Sequence, residues 1–411
     1  MIFFNLIRNI DPHLMKKILL FWFTANLLCA QDSPFNQGAI RQVNYFESIP
    51  FEFIEQKIII PVSIAGVTYR FMVDTGAPNF ISQKIFNKIK PEVVDEILMS
   101  DANNIEIKTP LAEIEELKIG SLIFNNSPVL IDENDENIFF KCWKLDGIIG
   151  SNLLRNSIVQ INLEEKLLYL TDRIDRLDLN HLRPSKMITD FDRQSTPFAW
   201  IDMQEGKGKH EDFVMLDTGM HGIYDLSQYS YQRMKEKEPF PVLGIAQGAG
   251  IIGSHGDAEF SQQFRVQLPF IQFNNFILTN VVSITTVSNY SRMGAGILKY
   301  GTLTLDYIND TFYFDPKIEG VDLEHPLIGF STTLSDNKIV IGFVWDDSLK
   351  DKIQYGDEIL QIDNLSYSGI PLCDLIIDDK ETWHENKEAI FVKVRSTSGE
   401  IISFHHQKRC P

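Results

Sequence analysis

The chain has 411 residues, 44% hydrophobic and 23% charged, which is apolar material enough for two or three packed domains. Its formal net charge of −18 argues against non-specific binding to nucleic acid or to an anionic membrane, since both attract the opposite sign. The 17 Pro and 24 Gly are spread along the chain, which excludes a large low-complexity region.

At the N-terminus, Lys16 and Lys17 precede "ILLFWFTANLLCA" (Ile18–Ala30), and the polar "QDSPFNQG" follows it. The apolar run is too short to span a bilayer comfortably and ends near small residues. That pattern predicts a secretory signal peptide over residues 1–30, hence an exported, periplasmic or extracellular protein. The alternative is a buried helix. Leu28 stands before Cys29 where lipid attachment wants a small residue, which speaks against a lipoprotein. Residues 31–50 are either a removable pro-segment or an edge strand.

From Lys57 onward the signals are β. "IIIPVSI" and "VTYRFMV" are short β-branched and aromatic runs separated by "AG", which predicts a hairpin. The second run ends in Asp74-Thr75-Gly76. After it, Ile85, Phe86 and Ile89 of "QKIFNKIK" have helical spacing. "AEIEELKIGSLIFNNSPVLI" reads as two strands with a turn at Ile119–Ser121, and "IVQINLEEKLLYLTD" as a hairpin turning near Glu164–Lys166. The charged stretch Asp172–Ser195 fits an exposed connection.

The pattern then recurs. "DFVMLDTGM" carries Asp217-Thr218-Gly219, 143 positions after Asp74. "GSNLLRNSIVQINLEEKLLYL" (Gly150–Leu170) aligns with "GAGILKYGTLTLDYINDTFYF" (Gly294–Phe314) at an offset of 144, so Ile161 matches Leu305 and Tyr169 matches Tyr313. Anchors in register predict an internal duplication. The expected layout is an N-terminal lobe over 31–172, a linker over 173–197, a second lobe over 198–316 and a different domain over 317–411.

A doubled Asp-Thr-Gly has a chemical rationale. Two carboxylates about 3 Å apart cannot both ionise easily, so they share a proton. One can then act as general base on a water while the other donates to a scissile carbonyl. Gly76 and Gly219 allow the tight turn and close approach of backbone N–H groups. Thr75 and Thr218 can hydrogen-bond across the lobe interface. The nine histidines show no H-E-x-x-H pattern and the cysteines no C-x-x-C, so no metal and no cofactor are expected. Cys373 and Cys410 fall in one region and are expected to pair, leaving Cys142 free; the alternative is three unpaired thiols.

These residues reach a family. Through "FMVDTGA", "LDGIIGSNLLRNSIVQINLEEKLLYL", "VMLDTGM" and "GILKYGTLTLDYINDTFYF", the chain resembles the retropepsin-like aspartic proteases. It is most similar to the bacterial exported type with two fused protease-like lobes and a C-terminal PDZ domain. The resemblance covers the chain from Phe51 to Pro316. It implies a mainly β fold of two pseudo-symmetric barrel lobes paired within a monomer, and peptide-bond hydrolysis by a water that Asp74 and Asp217 activate. Such proteases close hairpin flaps over a polypeptide substrate. The candidates are Met99–Pro110 in the first copy and the glycine-rich Gly244–Phe260, with His255, in the second.

Two features depart from the family pattern. Met220 stands where a small residue usually follows Asp-Thr-Gly, and its thioether is expected to crowd the dyad. "SRMGAG" replaces "DGIIG" in the second copy, which predicts looser packing beneath that loop. The tail, through "PLIGF" and "YGDEILQIDN", resembles a PDZ-like α/β domain. Its loop Leu327, Ile328, Gly329 and Phe330 is the implied binding site for the carboxylate of a C-terminal peptide. The alternative to an endopeptidase is a catalytically silent peptide-binding or scaffold protein.

Overall fold

The computed structural model describes residues 33–410, except 102, 135–136, 190, 192–193, 204–209, 237–239, 251–259 and 378–386. The predicted signal segment lies outside the described residues. Among these residues no helix is long and apolar enough to cross a membrane.

Two lobes are built on the same ring of six strands. In the first, β1 (Lys57–Ile64), β2 (Val67–Asp74), β3 (Phe80–Ser82), β4 (Glu106–Ile119), β5 (Leu122–Asp132) and β6 (Gly147–Gly150) pair in the order β5-β3-β6-β2-β1-β4, and β4 closes back on β5. In the second, β7 (Phe198–Asp202), β8 (Glu211–Asp217), β9 (Tyr224–Ser227), β10 (Ser261–Phe273), β11 (Phe276–Thr286) and β12 (Ser291–Gly294) pair as β11-β9-β12-β8-β7-β10, closed by β10 on β11. Closure leaves no free edge in either ring. The predicted helix appears as Gln83–Ile89, with Ile85 buried on its inner side.

The inward residues explain why these strands close. Ile58, Ile60, Val62 and Ile64 of β1 and Phe71 and Val73 of β2 are buried in one apolar core, continuous with Val214, Leu216, Leu268 and Phe273 of the second lobe. Each fully buried aliphatic side chain contributes about 1.5–3 kcal/mol relative to exposure. The rings are joined by a shared sheet. Ile158–Asn162 pairs antiparallel with Gly301–Asp306, and its hairpin partner Leu167–Thr171 pairs with Phe46–Pro50. Of the two readings of residues 31–50, the edge strand is the one the fold uses for Phe46–Pro50.

The connection between the lobes is anchored, not loose. Leu177, Leu179 and Met187 are buried, and Ser185–Lys186 adds to the shared sheet beside Thr311–Pro316. The charged residues of that stretch hid an apolar set that covers the back of the sheet.

The C-terminal unit has its own sheet: β13 (Phe330–Ser335), β14 (Lys338–Val344), β15 (Glu358–Ile362), β16 (Ala389–Arg395) and β17 (Ile401–Gln407), in that order. Phe330, Ile341, Ile359, Val392 and Val394 fill a separate core. The expected Cys373–Cys410 pair does not form. Cys142 bonds Cys373 with Cα atoms 4.8 Å apart, and Cys410 is an exposed free thiol. Around the disulfide, Trp143 and Leu145 of the first lobe pack with Ile376 and Ile377 of helix Leu372–Ile377. On its other side the unit meets the second lobe, where Arg265 donates to the Ile328 carbonyl at 2.6 Å.

Candidate active site

Asp74 and Asp217 each end a buried strand and occupy equivalent places in their rings. Parallel β2–β6 pairing sets Asp74 beside Gly150, and parallel β8–β12 pairing sets Asp217 beside Gly294. The two turns then lock together through their threonines. Thr75 N–H donates to Thr218 Oγ1 at 3.0 Å and Thr218 N–H to Thr75 Oγ1 at 3.0 Å. The hydroxyls continue across the interface, Thr75 Oγ1 to the Leu216 carbonyl at 2.5 Å and Thr218 Oγ1 to the Val73 carbonyl at 3.0 Å. Both threonines are buried, so this four-bond lattice is shielded from water and fixes one turn against the other.

The carboxyls of Asp74 and Asp217 meet at that lattice, each close to the glycine of the other turn. A Cβ on Gly76 would lie 2.6 Å from Asp217 Cγ, and one on Gly219 would clash with Asp74. Glycine is required at both positions for this approach. Gly76→Ala is therefore expected to push the carboxylates apart and lower any dyad-dependent hydrolysis by at least about 100-fold, the usual scale for a misplacement of about 1 Å. Steady-state cleavage rates beside circular dichroism of the same protein check it.

The two acids are not equivalent. Asp217 Oδ1 accepts from Gly219 N–H at 2.9 Å and Met220 N–H at 3.0 Å, whereas Asp74 Oδ1 accepts from Gly76 N–H alone at 2.9 Å. Burial first, and then the neighbouring Asp217 charge, push the Asp74 carboxyl up to about 7. Asp217 thus receives one more backbone N–H bond than Asp74 does.

The looser packing expected beneath the second loop is not found. The Met220 side chain lies against Gly294 and Gly222 of its own lobe, and its N–H supports Asp217. Beneath the loop the packing is the same as in the first lobe, with Met293 buried where Ile149 is. The difference is Arg292, in the register position of Ile148. Its Nη1 lies 3.7 Å from Asp217 Oδ2.

The first candidate flap, Met99–Pro110, lies in the hairpin of Glu92–Ser100 with the start of β4, where Met99 pairs with Ile107 and Ser100 with Glu106. At its tip Asn104 Nδ2 donates to the Val287 carbonyl of the second lobe at 2.6 Å, so this hairpin reaches across both lobes. The second candidate begins as strand Val242–Gly248 paired with β10 up to Gly248 and Ser261. Its middle, His255 included, lies outside the described residues.

The loop Leu327–Phe330 lies away from the dyad, at the start of β13. Leu327 N–H donates to the Arg409 carbonyl at 2.8 Å, and Gly329 N–H to His406 Nε2 at 2.9 Å. Burial holds the His406 imidazole below its ordinary value of 6.5, in keeping with a neutral ring that accepts from Gly329. A histidine with a depressed value binds fewer protons folded than unfolded, so its contribution is present above about pH 6.5 and fades as pH falls towards its folded value. Thermal unfolding is expected to show the wild type losing stability below pH 6.5, and His406→Gln losing less over the same range.

Residues 60–153 match the sequence model of the aspartyl protease family. That segment is aspartyl-protease-like. No curated protein matches the chain significantly. Among solved structures, basic 7S globulin from soybean is 11% identical and aligns over 67% of this chain and 95% of its own, with a TM-score of 0.38. A retropepsin-like aspartic protease from Rickettsia conorii is 19% identical over 33% of this chain and 93% of its own, with a TM-score of 0.23. The aspartyl-protease-like segment runs from β1 to the helix after β6 and so contains Asp74 but not Asp217. The second acid is brought to it by the shared sheet and the threonine lattice.

Lys57, Arg292 and Asp225 were not singled out by the sequence pattern, although all three lie beside the dyad. The available signal was a lysine opening the apolar run "IIIPVSI", and an arginine where the aligned copy has Ile148.

Proposed function

We propose that the chain is an aspartic-type endopeptidase whose nucleophile is a water held by Asp74 and Asp217. The observation that carries this is the convergence of two carboxyls, one from each ring, on turns fixed by reciprocal threonine bonds. A rigid, solvent-shielded mount of this kind keeps two groups within the tolerance that acid–base catalysis needs. With one proton on the pair, ionised Asp217 takes a proton from the water as its oxygen bonds the scissile carbonyl carbon. Asp74 delivers its own proton to the carbonyl oxygen, giving a neutral gem-diol. Collapse of that intermediate breaks the C–N bond, the amine leaves with the proton held at Asp217, and Asp74 regains one from the gem-diol. The pair ends with the single proton it began with.

The C-terminal unit is read as PDZ-like and as binding or positioning polypeptide. A ligand carboxylate reaching the Gly329 N–H would have to displace His406. The Cys142–Cys373 bond supports an oxidising, exported location, as the segment Ile18–Ala30 suggests. The two lobes pair within one chain, so a monomer suffices. Peptide cleavage by wild type against Asp74→Asn and Asp217→Asn tests the reading.

A further inference from the structure

The two acids do not face each other in an otherwise neutral interface. Lys57 opens β1, and the register that pairs Ile58 with Val73 sets it opposite Asp74 across the ladder. Its side chain is 6% exposed, and its ammonium donates to the Gly219 carbonyl of the other lobe. A cation is thus inserted between the two Asp-Thr-Gly turns. The preceding residue continues the insertion: Gln56 Oε1 accepts from Gly222 N–H at 2.9 Å, and Gln56 Nε2 lies 3.4 Å from His221 Nε2.

From the second lobe comes Arg292, whose Nε donates to Asp225 Oδ2 at 2.9 Å while Nη1 stays near Asp217. Asp225 is the direct cross-strand partner of Arg292 on β9 and is buried. The groups that bear on Lys57 are therefore Asp74 from β2, Asp217 from β8 and Arg292 from β12, with Asp225 behind the arginine and His221 beyond Gln56. Burial lowers the Lys57 value, and the charges of Asp74 and Asp217 act to raise it again. With Lys57 and Arg292 both protonated, two positive charges stand against two negative ones, Asp225 and a singly protonated dyad. An uncompensated charge in such a place is costly, so the cluster is neutral with one proton on the pair and not with none or two.

We propose that Lys57 is a positioning residue that acts through the dyad, setting the pH window in which Asp74 and Asp217 share one proton, with Arg292–Asp225 as the backing pair. The proposal rests on the dyad reading above. A nearby cation favours the ionised form of a carboxyl, so Lys57 opposes the effect of burial, which raises the Asp74 value. Without it the pair holds its protons to higher pH, and both limbs of the pH–rate profile move up.

The test uses Lys57→Gln, which keeps a donor for the Gly219 carbonyl and removes the charge, together with Lys57→Met and Lys57→Arg. The proton affinity of the pair is followed in the folded proteins by carboxyl carbon-13 NMR titration, with the Asp74→Asn spectrum assigning the signals. The pH profile of kcat/KM is measured alongside. The expected result is an upward shift of the pair's titration on the order of one pH unit or more in the Gln and Met variants, near the usual effect of a close opposite charge. Lys57→Arg should restore the wild-type values. Unshifted titration in a folded Gln or Met variant overturns the proposal, even if the rate has fallen, because that would be a purely structural role. Titration that shifts in a protein with no cleavage at any pH upholds the role of Lys57 and overturns the protease reading instead.

Discussion

Asn at position 74 or 217 is expected to abolish peptide hydrolysis, a loss on the order of 10⁴-fold or more, while leaving the fold intact. The size follows from the division of labour. Asn is neutral and can neither take the water proton nor supply one, so neither single variant retains half a mechanism. The fold survives because the amide oxygen can still accept from Gly76 or Gly219, and the threonine lattice does not involve the carboxyls. A second readout accompanies the first. The Asp74 value is raised from 3.8 to about 7, so the folded state holds that proton more tightly than the unfolded chain does. Its stabilising contribution is full below about pH 4 and is lost as pH rises through 7. Wild type should accordingly lose stability between pH 4 and pH 8 by more than Asp74→Asn does. Cleavage of a denatured protein substrate and Tm at several pH values are the measurements. Retained cleavage in both variants would remove the dyad from the mechanism.

What the sequence made legible was local. β-branched and aromatic runs mark the first hairpin, the 3.6 spacing marks helix Gln83–Ile89, and apolar runs ending in Asp-Thr-Gly mark both candidate acids. The parallel pairing of β2 with β6 could not be read from periodicity, because nothing in either strand specifies a partner more than seventy residues away. The offset between the two copies matches Ile161 with Leu305, whereas in the sheet that joins the lobes Ile161 pairs with Leu303 and Leu305 with Val159.

The errors were of another kind. Cys373 and Cys410 fall in one unit, but Cys410 follows the edge strand β17, and helix Leu372–Ile377 carries Cys373 to Cys142 of the first lobe. The linker was read from its charges, whereas three apolar side chains decide where it lies. The charges around the dyad were missed because Lys57 and Arg292 have no motif. Each is a lone cation in an apolar strand, and only the three-dimensional pairing shows that they face one pair of acids.

Breaking the Cys142–Cys373 bond is expected to cost about 2–5 kcal/mol of stability, and the cost should fall mainly on the attachment of the C-terminal unit. The bond joins residues 231 positions apart, so it closes a long loop and restricts the unfolded chain strongly. Each ring and the shared sheet are complete without it, and the unit keeps a separate core. What it holds is a junction with a modest apolar patch on one side and, on the other, Phe343 and Trp345 packed with Ala246 and Ile284 beside the Arg265–Ile328 bond. In Cys142→Ser/Cys373→Ser, limited proteolysis should release the unit at protease levels that leave wild type whole, while the rest of the chain keeps its circular dichroism spectrum. Non-reducing peptide mapping of wild type should give a Cys142–Cys373 linked peptide, with Cys410 alkylated in the native state. A Cys373–Cys410 peptide, or unchanged resistance in the double variant, would count against this arrangement. Because the same helix that carries Cys373 packs beside Met72 and Ile59, two residues from Asp74 and Lys57 respectively, loosening it should also be felt at the dyad. A fall in cleavage rate on reduction, absent in the double variant, would trace that path.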